Sequence, residues 1–102
     1  MTDDLLKNFT KDTFSPHIGE LFQVSVDPAT SLQLELCEVI GRDSEKEIGK
    51  REPFSLIFQG PAEPVFPQSI YVMEHGAIGT FSLFLVPIGP KGKGMLYEAV
   101  FT

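Results

Sequence analysis

Apolar and polar residues alternate in short runs along most of this chain, and a period of two is what a strand with one buried face requires. Glu20–Val26 sets Phe22, Val24 and Val26 against Leu21, Gln23 and Ser25. Ser31–Ile40 begins the same way, with Leu32, Leu34 and Leu36 against Gln33 and Glu35, then loses phase at Cys37, Val39 and Ile40. A β-bulge near Cys37–Glu38, one extra residue that re-aims the strand, accounts for the slip. Phe54–Gln59, Ser69–Glu74, Thr80–Val86 and Met95–Phe101 supply four more strands. All are rich in the aromatic and β-branched residues that suit a pleated surface. Thr80–Val86 is apolar on both sides, with Phe81, Leu83 and Leu85 opposing Phe84 and Val86. Such a strand needs two covers, the core on one side and a helix or another subunit on the other.

The intervening residues punctuate these strands. Asp27-Pro28-Ala29-Thr30 is a turn with proline where a type I turn accepts it, and His75–Gly79 is a hairpin tip. Gly89–Gly94, GPKGKG, reads as a further loop, and Pro61, Pro64 and Pro67 stiffen a crossing that cannot pair regularly. Residues 3–11 predict one short helix, capped by Thr2 or Asp3, with Leu5, Leu6 and Phe9 on one face. Six strands and one N-terminal helix, with no repeat and no linker, predict a single all-β domain over 1–102. The architecture is a small antiparallel six-stranded barrel or a strongly bent two-layer sheet.

Composition narrows the function classes. A formal net charge of −6 argues against nucleic acid, which calls for clustered Lys and Arg. No run approaches the ~18 apolar residues of a membrane-spanning helix. The start, MTDDLLKNFTKD, is acidic where a signal peptide is basic, and Cys37, the one cysteine, has no disulfide partner. A cytoplasmic protein is the expectation. Gly41–Glu52 is dense in charge and reads as a solvated loop, expendable for folding.

Chemistry-bearing residues are sparse. Glu74-His75 sits at the mouth of a hairpin, and the second histidine, His17, is distant in sequence. His75 is expected to bond to its turn or pack on Tyr71 rather than to ligate a metal. Cys37, flanked by Glu35 and Glu38, is expected to be an unreactive strand cysteine. Asp43, Glu45 and Glu47 have the first spacings of a calcium loop, but Ile48 stands where its glycine belongs. GPKGKG lacks the GK[ST] and following helix of a phosphate loop. No catalytic, cofactor-binding or metal-ligating residue is therefore assigned, and the domain is expected to fold without metal or cofactor. The proline-rich crossing is expected to pack on the barrel as a lid or to present Val65 and Phe66 outward. Those two, with Phe84 and Val86 on the two-faced strand, are the candidate contacts for a protein partner or a second copy.

The order of several motifs resembles a family of small bacterial proteins catalogued as a domain of unknown function. The matching residues are Phe9, Phe14, Gly19, Phe22, Arg51-Glu52-Pro53-Phe54-Ser55-Leu56, Phe58-Gln59-Gly60-Pro61, Pro67-Gln68, Tyr71 and Glu74-His75. Leu85-Val86-Pro87-Ile88-Gly89 and Tyr97-Glu98-Ala99-Val100-Phe101 complete them. Some members are encoded near tail-collar or tail-fibre-like proteins of phage-derived systems. The resemblance implies a stand-alone module, an accessory part of a phage-tail-like assembly, and it carries no activity. A non-enzymatic structural or interaction role is the first expectation; a small barrel holding an apolar ligand among its phenylalanines is the second.

Overall fold

A computed structural model describes residues 9–41 and 53–101. It contains a closed antiparallel barrel of six strands: β1 (Leu21–Asp27), β2 (Thr30–Gly41), β3 (Phe54–Pro61), β4 (Ser69–His75), β5 (Gly79–Lys91) and β6 (Gly94–Phe101). The order around the barrel is β1-β2-β3-β6-β5-β4, and β1 pairs back onto β4 to close it. That closing seam pairs three positions, Gln23 with Glu74, Val24 with Met73 and Ser25 with Val72. Among the described residues, closure gives every strand a neighbour on both sides.

The expected bulge is present. β2 loses register against β3 between Leu36 and Glu38, so Cys37 is the extra residue. A second irregularity, between Pro87 and Gly89, carries β5 past two prolines to Lys91. The GPKGKG segment is therefore mostly strand, and its turn is only Gly92-Lys93, with Gly92 at φ +58. A glycine first in a two-residue turn suits the twist of a hairpin. Gly60 and Gly94 serve another purpose. A Cβ on Gly60 would collide with Leu34 Cδ2, and one on Gly94 would lie 2.7 Å from the Gly60 carbonyl oxygen. Gly60 makes room for Leu34 of β2, and Gly94 lets β6 approach β3.

Inward positions fill the barrel. Phe22 and Val24, Leu34 and Leu36, Phe54, Leu56 and Phe58, Met73, Phe81 and Leu85, Tyr97 and Ala99 are all buried. Each end is stopped by an aromatic ring. At one end the short helix α1 (Lys11–Phe14) and the 3-10 turn Ser15–His17 place Phe14 against Phe9, Phe22, Phe54, Phe81 and Phe101. At the other, the crossing from β3 to β4 inserts Phe66 between Tyr71 and Tyr97, and the Phe66 N–H donates to Tyr97 Oη at 3.0 Å. Most of the helix expected over residues 3–11 and nearly all of the charged segment Gly41–Glu52 lie outside the described residues.

The strand buried on both sides is β3, not β5. Outward-facing Ser55 and Ile57 are buried together with inward Phe54, Leu56 and Phe58. On β5 the outward Phe84 is 51% exposed.

Candidate functional site

Two segments distant in sequence meet where β1 begins and β4 ends. Gly19, at φ +92, turns the chain out of the 3-10 segment, and its N–H donates to the Leu36 carbonyl at 2.7 Å. The next residue, Glu20, is fixed through its backbone: its N–H reaches the His17 carbonyl, and its carbonyl accepts the Leu36 N–H, both at 3.0 Å. The β1–β4 seam then brings His75, last residue of β4, alongside.

Three side chains converge there. Glu20 Oε1 lies 2.8 Å from His17 Nδ1 and 2.7 Å from His75 Nε2, and the two imidazole rings are 4.6 Å apart, edge to face. The Ala77 N–H donates to His75 Nδ1 at 3.0 Å, so the ring proton of neutral His75 sits on Nε2 and is donated to Glu20. His75 also packs on Phe22, with ring centroids 4.5 Å apart, and its side chain is 9% exposed against 48% for Glu20. A shallow groove of about 390 Å³ opens beside His75, lined in part by Gln23, Gln33, Glu74 and Thr80.

The hydrogen bonds from His17, and then from His75, hold the Glu20 carboxyl below the ordinary 4.5 of a glutamate. The folded pKa is lowered, so the stability this group contributes is complete above pH ~4.5 and is lost as pH falls through the folded value. Glu20→Gln is therefore expected to lose less stability on acidification than the parent chain. Urea midpoints followed through the acid range check this, and superimposable profiles would contradict it.

The residues singled out from sequence are distributed otherwise. His75 does bond to its turn, through Ala77, but packs on Phe22 and His17 rather than Tyr71. Cys37 is half-buried beside the Glu35 carbonyl and Gln59, and burial, then the Glu35 charge, pushes its thiol up. That is the setting of an unreactive thiol. Val65 and Phe84 are exposed and Val86 is half-buried. Phe66 corrects the expectation: at 5% exposure it is an internal stop and offers nothing to a partner. Glu20 was not singled out. Its spacing from His17 was visible, but the signal is completed by His75, which arrives only through barrel closure.

A second surface feature lies on the outer wall. Ile70 pairs with Phe84, and Ile70, Val72 and Phe84 are all exposed. The paired stretch of β5 and β6 ends at Val86 and Glu98. An exposed apolar patch thus spans β4 and β5, with half-buried Val86 beside it.

No curated protein sequence and no solved structure matches the chain. A family model described as a domain of unknown function matches residues 9–101, which takes in the whole barrel and the Phe14 stop. The chain belongs to that family, DUF6916.

Proposed function

We propose that the domain is a non-enzymatic interaction module that associates with copies of itself through the outer wall of β4 and β5. The observation that carries this reading is the exposed pair Ile70–Phe84, with exposed Val72 and half-buried Val86 beside it. Contiguous exposed apolar side chains on a soluble surface mark contacts. The exposed side chains of the patch carry no charge, with Glu98 at its margin beside Val86, although the chain carries −6 overall. A two-fold contact uses the same patch twice. In a tail-like assembly, the setting the family resemblance suggests, such a module serves as an accessory component. The rival occupant, an apolar ligand in the barrel, would have to displace residues such as Phe14, Phe22, Phe58 and Phe66 that fill it.

Sedimentation across a hundredfold range of concentration tests the reading. The parent chain is expected to associate. Phe84→Asp is expected to remain monomeric with nearly the same unfolding midpoint, because an exposed substitution changes stability by only about 0.5 kcal/mol. A parent chain that stays monomeric throughout overturns the proposal.

A further inference from the structure

We propose that His17, Glu20 and His75 form a binding site for one zinc-type divalent ion, which ties the start of β1 to the end of β4. The three potential ligand atoms lie within 4.8 Å of one another. Two imidazole nitrogens and one carboxylate oxygen are the donor set of an open zinc site, in which a water completes the tetrahedron. Metal–ligand bonds near 2.0–2.1 Å at tetrahedral angles place such atoms about 3.4 Å apart. The observed 2.7 and 2.8 Å contacts must open a little, and the two ring nitrogens, within 4.8 Å of each other, must draw together. Exposed Glu20 has room to move between them.

The backbone frame is already built. Glu20 is pinned to β2 through both its neighbours' and its own main-chain bonds, and His75 is seated on Phe22. Binding requires a change of tautomer and no net loss of protons: the ring proton of His17 moves to Nε2 and that of His75 to Nδ1. The Ala77 N–H then gives up His75 Nδ1 and turns to water, which its exposed place in the turn permits. Calcium and magnesium prefer oxygen ligands and are excluded by the two nitrogens.

The hydrogen-bonded triad satisfies itself without an ion, so the chain is expected to fold in chelator and to gain stability on loading. Zinc at a hundredfold excess over Kd should raise the unfolding midpoint by about 10 °C or more, and calcium should leave it unchanged. Cobalt should give the intense visible bands of a tetrahedral ion. Both responses should survive Cys37→Ser. Each of His17→Gln, Glu20→Gln and His75→Gln should weaken zinc binding by roughly a hundredfold or more. Glu20 is exposed and His17 half-buried, so their variants test the site even if the His75 variant fails to fold. Zinc binding of equal strength in parent and His17→Gln/Glu20→Gln chains, or no binding in the parent, overturns the proposal.

Discussion

Phe14→Ala is expected to cost about 3–5 kcal/mol, the range for truncating a fully buried phenylalanine. Phe14 is 0% exposed and meets five other aromatic rings, drawn from the chain before α1 and from β1, β3, β5 and β6. Little can collapse into the space it leaves, because those rings are held by separate strands. In a domain of this size each kcal/mol lowers the midpoint by about 4–8 °C, so a fall of about 12 °C or more is expected. Total stabilities run to about 5–15 kcal/mol, so this one ring accounts for a large share of the whole. Phe14→Leu, which keeps most of the volume, should recover the larger part. Thermal unfolding followed by circular dichroism measures both, and a Phe14→Ala midpoint within ~3 °C of the parent would show that the ring is not the stop its contacts describe.

At the opposite end a pair of neighbours separates lid from partner contact. Phe66→Ala is expected to cost about 3 kcal/mol, since it opens a gap between Tyr71 and Tyr97. Val65→Ala, at a side chain 49% exposed, should stay within about 0.5 kcal/mol. Equal losses at the two positions would mean that the crossing does not insert Phe66 as described. The Phe66 N–H bond to Tyr97 adds a second route to the same answer: Tyr97→Phe keeps the ring and removes only the acceptor. It should cost about 1 kcal/mol, the net worth of one hydrogen bond, or somewhat more because a buried donor is left unpaired.

The barrel was legible because most strands bury one face and therefore write their period into the sequence, while β3, buried on both, is marked by its apolar run. Even the bulge at Cys37 was legible, because an extra residue inverts the alternation after it. Local punctuation misled at one place. Glycine and proline in GPKGKG signal a loop, yet Pro90 lies in β5, paired with Met95 just past the irregularity between Pro87 and Gly89. At the crossing, prolines leave a lid and an outward contact both open, and Phe66 takes the lid because a barrel end needs a side chain to close it. The site was legible only in pieces. His17 and Glu20 stand three residues apart, but pairing them with His75 requires the β1–β4 register, which no local pattern encodes. The close approach of Gly60 and Gly94 likewise follows from the β3–β6 register.

The short closing seam also bears on how the chain assembles. Strands β4, β5 and β6 follow one another through tight turns, and their pairings are found by local search on the microsecond scale of hairpins. Gln23 and Glu74, by contrast, lie about fifty residues apart, and their strands share only three paired positions. The entropy of drawing such distant segments together is spent before three pairs of contacts return it. Many such non-local pairings put a barrel among the slower folders, in milliseconds to seconds. The union of β1 with β4 therefore belongs to the late, native side of the barrier. Whatever strengthens it prolongs the life of the folded barrel by slowing its opening, and leaves the rate at which the chain first folds almost untouched.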